Sequence, residues 1–140
     1  MSLFPENVNF LSTARYIKGG RSTGNFVNFN LALHVNDKTD SVLENRSILK
    51  DYYELPSEPV WINQTHSSIC IDASLTERVI EADASFTLNP GTVCSILTAD
   101  CLPVFVSKKD GTMVGVAHAG WKGLISGVIE NLIEAFDCSG

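Results

Sequence analysis

The chain has 140 residues, a length typical of one globular domain, and residues 1–140 are predicted to form a single domain. Its content of 44% hydrophobic and 19% charged residues excludes intrinsic disorder as the main state. The net charge of −6 disfavours general nucleic-acid binding and attachment to an anionic membrane surface. The sequence contains no apolar run long enough to span a bilayer, and its N-terminus lacks the features of a signal peptide, so we expect a cytoplasmic protein without membrane contact.

The first half of the chain is predicted to be poor in regular structure. Residues 8–13 are expected to form a strand, and residues 18–25 a glycine-rich loop. Residues 26–35 alternate imperfectly and are expected to hold one or two short strands. A helix is predicted over residues 41–53, with Asp40 as its N-cap.

The second half is richer in apolar segments that are typical of strands. Strands are predicted at residues 60–63, 69–73, 92–98, 103–107 and 112–117. The last two are expected to form a hairpin, because the polar segment 108–111 between them ends in glycine.

A final helix is predicted to begin at residues 120–123 and to end near residues 139–140. Leu124, Val128, Leu132 and Phe136 recur at a spacing of four and give it a broad apolar face. Such a face needs a sheet to cover, so the fold class is predicted to be α+β, with a mixed β-sheet and helices packed on it.

Three reactive residues follow or end predicted strands: His66, Cys101 and His118. If these strands are neighbours, the three side chains converge at one edge of the sheet. Two imidazoles and a thiolate suit a catalytic zinc site, which uses three protein ligands and leaves a fourth position open. The same ligand types also suit copper.

The spacing alone leaves other interpretations open. Cys101 is equally explained as a buried inert thiol, His118 as a core histidine and His66 as an exposed turn residue. A metal-free alternative makes Cys101 a nucleophile activated by either histidine, as in a cysteine hydrolase or amidase.

Two acidic residues and a glycine-rich segment are further candidates for roles at such a site. Asp100, between two apolar segments, needs a partner if it is buried, and it is a candidate acid/base or orienting group. Asp83 has the same two interpretations, an orienting carboxylate or a turn cap. Gly120 opens the last helix and Lys122 adds a positive charge, which together favour an anion such as phosphate.

The other three cysteines are Cys70, Cys94 and Cys138, and no pair has the spacing of a compact metal motif. They are predicted to be free thiols packed in the core, because disulfides are rare in the cytoplasm.

At the motif level the sequence resembles the YfiH/laccase-domain family, also called the polyphenol oxidase or multicopper polyphenol oxidoreductase family. The resemblance covers nearly the whole chain. It rests on the segments Asn-Gln-Thr-His at 63–66, Ala-Asp-Ala at 82–84, Thr-Ala-Asp-Cys-Leu-Pro-Val at 98–104 and Ala-His-Ala-Gly-Trp-Lys-Gly at 117–123.

The resemblance implies a zinc-dependent purine nucleoside phosphorylase. Adenosine, inosine and methylthioadenosine would be phosphorolysed, and adenosine would also be deaminated. Carried over by motif, the metal ligands fall on His66, Cys101 and His118. Catalytic roles are expected for Cys101, His118 and Asp100, and contacts to substrate or phosphate for Gly120, Lys122, Arg15 and Gln64.

Other activities associated with this family are less well matched by the chain. An oxygen-reducing multicopper site needs several copper ions, and three histidines cannot supply their ligands. Some bacterial relatives are linked to cell-wall precursor editing, which would be an amidase activity.

The chain departs from the family pattern in three respects. Arg15 lies one position later than the arginine of the family, and Lys122 stands where arginine is common. The chain also matches only the N-terminal part of a longer domain. An incomplete sheet leaves an edge or an apolar face to cover, which favours homo-oligomerisation, and an inactive metal- or partner-binding fragment is a further alternative.

Overall fold

The computed structural model describes residues 4–75 and 78–138. By their contacts these residues divide into two compact units, residues Leu11–Glu58 and residues 4–10 together with 59–138. Single-domain behaviour of the whole chain stays a prediction. Within the described ranges, no helix is long and apolar enough to cross a membrane.

The unit Leu11–Glu58 contains one long helix, α1 (Thr39–Tyr52). Its N-cap position is Lys38, so the prediction of Asp40 as N-cap is wrong. Asp40 lies in the first turn, where its charge complements the helix dipole. The strands predicted at residues 8–13 and 26–35 do not form, and a single 3₁₀ turn occurs at Gly24–Phe26.

Buried side-chain hydrogen bonds take the place of strand pairing in this unit. Asn45 of α1 is fully buried and accepts a hydrogen bond from the main-chain N–H of Arg21. Its amide nitrogen donates to Ser22 Oγ and to the main-chain oxygen of Asn30. The loops are thus fixed to the helix by a side-chain amide rather than by main-chain hydrogen bonds between strands. The hydrophobic pattern of the sequence cannot reveal such side-chain hydrogen bonds.

The second unit is built on a mixed sheet, as the sequence predicted. Its four described strands are β1 (Cys70–Asp72), β2 (Ala84–Thr87), β3 (Leu102–Ser107) and β4 (Val114–Ala119), in the order β1-β2-β4-β3. β1 and β2 are parallel, whereas β4 runs antiparallel to both of its neighbours. β3 and β4 form the predicted hairpin.

The strand assignments around β2 differ from the prediction. β2 itself was not predicted, because three of its four residues are small or polar and Phe86 is its one large apolar residue. The apolar segments at 60–63 and 92–98 form only isolated bridges, between Val60 and Cys94 and between Asn63 and Glu81. An apolar run becomes a strand only where a neighbouring strand completes its hydrogen bonds.

The predicted C-terminal helix is two helices, α2 (Trp121–Ile125) and α3 (Val128–Cys138). Gly127 separates them with a φ of +88°, a left-handed conformation that ends a helix. The predicted end near residues 139–140 lies outside the described residues.

Helix α3 packs directly on β4. Leu132 is fully buried, and a β-carbon built on Gly115 of β4 would lie only 2.8 Å from its Cδ1 atom. The glycine therefore allows the helix to approach the strand closely. The core beneath α3 consists of Ala84, Met113, Ala117, Ala119, Val128, Leu132 and Phe136.

Replacing Leu132 by alanine should lower the free energy of unfolding by about 2–5 kcal/mol, because the buried leucine would leave a cavity. Ile133→Ala is the matched control. Its side chain is 43% exposed, so we expect a loss of about 1 kcal/mol or less. Denaturant unfolding measures both, and equal losses would contradict the packing of α3 described above.

Candidate metal centre

The structure brings three potential metal ligands together. The ligand atoms of His66, Cys101 and His118 all lie within 4.8 Å of one another. The two imidazole rings meet edge to face, with centroids 4.9 Å apart. A tetrahedral zinc ion with bonds of about 2.0–2.3 Å needs ligand atoms about 3.3–3.8 Å apart, so small side-chain movements suffice to form the site.

His118 is supplied by β4 and is held by a buried carboxylate. Its Nδ1 atom lies 2.7 Å from Oδ2 of Asp83, and both side chains are buried. The main-chain N–H of His118 also donates to the main-chain oxygen of Asp83, again at 2.7 Å. Because Asp83 occupies Nδ1, the nitrogen left to bind a metal ion is Nε2.

The same carboxylate fixes the loop that carries His66. Asp83 accepts hydrogen bonds from the main-chain N–H groups of Thr65, His66 and Ser67, and from Ser67 Oγ. His66 adopts a φ of +60°, a conformation that is costly for a residue other than glycine. The hydrogen bonds to Asp83 offset that cost and hold the loop so that the exposed His66 lies in the cluster.

The electrostatics of Asp83 follow from these contacts. Burial alone would raise the pKa of this carboxyl, but the hydrogen bonds from His118, Ser67 and Thr65 lower the pKa below its ordinary value. Asp83 is therefore ionised at neutral pH and compensates the positive charge of a nearby cation.

Cys101 is half-buried in the loop that precedes β3. Partial desolvation and the adjacent negative charge of Asp100 raise the pKa of its thiol. The thiol is therefore not activated by its protein surroundings, whereas a bound metal ion would deprotonate it. The raised pKa favours a role for Cys101 as a metal ligand over a role as a free nucleophile.

Asp100 is exposed, so its carboxylate does not meet the condition of burial under which it would need a partner, and its catalytic role stays a prediction. Its side chain is hydrogen-bonded to Cys101 and lies at the border of the cluster. The orienting interaction belongs to Asp83. In the sequence, Asp83 is recognisable only as an acidic residue between two alanines. That pattern is equally typical of an orienting carboxylate and of a turn cap.

Gly120 lies against the cluster as the N-cap of α2. A β-carbon at this position would lie 2.8 Å from His66 Cδ2 and 3.2 Å from Cys101 Sγ. The space beside the two ligands is therefore kept open by the absence of a side chain. Lys122 follows on α2 with an exposed side chain.

Two predicted substrate-binding residues have internal partners. The Gln64 amide donates to the main-chain oxygen of Leu97 at 2.7 Å and accepts from its N–H at 2.6 Å. Arg15 belongs to the unit Leu11–Glu58, where it donates to the main-chain oxygen of Asn25. Their contacts to substrate stay predictions.

The remaining cysteines lie outside the cluster, and all four cysteines are free thiols. Burial raises the pKa of Cys70 and of Cys94 to about 11, so both stay protonated. Cys138 is exposed at the end of α3, and its predicted burial in the core is wrong.

A family model described as multi-copper polyphenol oxidoreductase laccase matches residues 10–140. The chain belongs to this laccase family. A purine nucleoside phosphorylase of Haemophilus influenzae is 39% identical over 132 residues, and the purine nucleoside phosphorylase YfiH of Escherichia coli is 41% identical over 133 residues. Each alignment covers 94% of this chain.

Solved structures of similar proteins support the fold of this laccase-family chain. The Neisseria meningitidis protein NMB0706 is 40% identical, with a TM-score of 0.87 over 94% of this chain and 53% of that protein. The YfiH protein of Bacillus licheniformis is 28% identical, with a TM-score of 0.74 over 83% of this chain and 48% of that protein. The chain spans about half the length of the relatives that it matches, 53% and 54% for the two phosphorylases.

Gly120→Ala should weaken zinc binding at least about tenfold, because the new methyl group would displace His66 and Cys101. The backbone of Gly120, with φ −69° and ψ 160°, is open to alanine, so the fold should survive. Chelator competition measures the affinity, and circular dichroism checks the fold.

Ser126→Ala, at the exposed C-cap of α2, is the control for this measurement and should bind zinc as the unmodified chain does. Unchanged affinity in Gly120→Ala would show that the centre does not form beside this glycine.

Asp83→Asn should weaken zinc binding about 10–100-fold, because an amide cannot accept all the hydrogen bonds that orient His118 and the His66 loop. Glu81→Gln makes the same chemical change two residues away. The Glu81 side chain is exposed and accepts a hydrogen bond from the Thr65 hydroxyl, which an amide oxygen can also accept, so the affinity of Glu81→Gln for zinc should not change. Equal affinities in the two variants would contradict the orienting role of Asp83.

Proposed function

We propose that this chain is the zinc-binding part of a purine nucleoside phosphorylase, in which His66, Cys101 and His118 hold the metal. The observation that carries the proposal is the convergence of these three ligands around a histidine backed by a buried carboxylate. Carboxylate–histidine pairs of this kind fix the tautomer and orientation of metal ligands in proteins.

The donor set favours zinc over the copper implied by the family description. One thiolate and two imidazoles suit a closed-shell ion in tetrahedral geometry, with a fourth position open to substrate. A multicopper oxidase needs ligands for several ions, and the three histidines of this sequence are too few.

The names of the relatives, at 39% and 41% identity, support a purine nucleoside and phosphate as substrates. In phosphorolysis a phosphate oxygen bonds to C1′ of the ribose, the bond from C1′ to the purine nitrogen breaks, and the purine gains a proton. When bound, zinc supplies a Lewis acid that polarises an oxygen atom of the reactants. Deamination of adenosine and phosphorolysis of methylthioadenosine are proposed as further activities of the same centre.

The residues around the ligands have separate proposed roles. Asp100 is exposed beside Cys101 and can hold or release a proton toward the substrate. Lys122 can attract phosphate, although an ammonium group lacks the bidentate geometry of arginine. Gly120 leaves room for the reactants beside the ligands. Asp83 binds Nδ1 of His118, so Nε2 is the atom that would hold a bound metal ion.

A cysteine hydrolase or amidase using Cys101 is the main competing function. The raised pKa of the thiol argues against it, because an effective thiol nucleophile has a lowered pKa. A metal- or partner-binding fragment without activity is the third candidate, since the chain spans about half the length of its relatives. A cytoplasmic location and self-association stay predictions.

Zinc content is the first measurement. The purified chain should carry about one zinc ion, and Cys101→Ser should lose most of it because one of three ligands is removed. Cys138→Ser changes an exposed thiol outside the cluster and should keep its zinc. Mass spectrometry of the metal in all three proteins makes the comparison.

Phosphorolysis of adenosine and inosine should then follow zinc content across the same three proteins. Full phosphorolysis by a zinc-free preparation would refute the role of the metal. A covalent acyl-enzyme on Cys101 would establish the hydrolase instead. Zinc binding without turnover of any nucleoside would support the third candidate, a metal-binding fragment without activity.

A further inference from the structure

Trp121 is a large aromatic residue that is mostly exposed beside the candidate metal centre. It is 68% exposed, and it directly follows Gly120, whose backbone lies against Cys101 and His66. From these contacts and the spacing of consecutive Cα atoms, the Cα atom of Trp121 lies no more than about 8.5 Å from Cys101 Sγ. The main chain that carries the indole is thus held beside the candidate metal centre.

The exposure of Trp121 is not explained by the fold. The core under α3 does not include it, and α2 buries only Gly123 among its five residues. The other tryptophan, Trp61, is half-buried. Exposed aromatic side chains placed beside a polar site commonly serve as contact surfaces for ligands.

A cation lies over one face of this indole. The Nζ atom of Lys122 is 5.6 Å from the ring centroid of Trp121, within the range of a cation–π contact. The pair places a flat aromatic surface and a positive charge on consecutive residues. A nucleoside undergoing phosphorolysis offers the matching chemistry, a flat base beside an anionic phosphate.

We infer that Trp121 is a specificity-determining residue that stacks on the purine base while the ribose and phosphate face the metal centre. This inference rests on the proposed function. Stacking on an aromatic side chain tolerates different bases, because every base presents a π face. Trp121 would therefore admit both adenosine and inosine and would select a nucleoside over a ribose phosphate that lacks a base.

Direct binding to the zinc-loaded chain tests the inference without relying on turnover. Titration calorimetry is run with two probes that share the ribose, adenosine with a base at C1′ and ribose 1-phosphate with a phosphate in its place. Trp121→Ala should weaken adenosine binding roughly 5- to 100-fold and leave ribose 1-phosphate binding unchanged. Trp121→Phe, which keeps a ring, should restore most of the affinity for adenosine.

Ile133→Ala, a change at another partly exposed apolar residue, is the control and should bind both probes as the unmodified chain does. Metal content is measured in every variant, so that a loss of zinc cannot be mistaken for a loss of stacking.

Three results would overturn the inference while leaving the proposed function in place. In the first, Trp121→Ala binds adenosine as tightly as the unmodified chain. In the second, the variant loses affinity for both probes equally. In the third, sedimentation shows that the substitution dissociates a dimer, with no selective effect on adenosine binding. A zinc-loaded unmodified chain that binds neither probe would overturn the inference together with the proposed function.

Discussion

One buried carboxylate, that of Asp83, organises the candidate metal centre. It bonds the ring of His118 from β4 and three consecutive main-chain N–H groups of the loop that carries His66. Two ligands that lie far apart in the sequence are thereby held by the same carboxylate, on the residue directly before β2. Removing a buried charge from its partners is costly, so this arrangement resists local distortion.

The third ligand is controlled differently. Cys101 lies on a loop and its thiol is held protonated by desolvation and by Asp100, so its protonation state is sensitive to what binds. Hydrogen bonds thus position His66 and His118 in advance, whereas the thiol of Cys101 would lose its proton when it binds a metal ion. Gly120 completes the arrangement by leaving open the volume that a side chain would fill.

Much of this arrangement could be predicted from sequence where a local pattern existed. The apolar period of α3 and the glycine-ended turn between β3 and β4 predicted those elements, and reactive residues at strand ends predicted the ligand cluster. β2 was missed because Phe86 is its one large apolar residue, so the segment lacks the apolar pattern of a strand although three of its four residues are buried. Asp83 could not be selected because its role depends on contacts 16–18 and 35 residues away along the chain.

The contact between α3 and Gly115 has a mechanical consequence for the centre. Gly115 lies on β4 three residues before His118, with the side chains of Leu132 and Phe136 against its backbone. A close-packed interior transmits displacement instead of absorbing it. A change in the packing of α3 would therefore shift β4, the strand that carries His118. Substitutions in the hydrophobic core are thus expected to change the affinity for a metal ion as well as the stability of the fold.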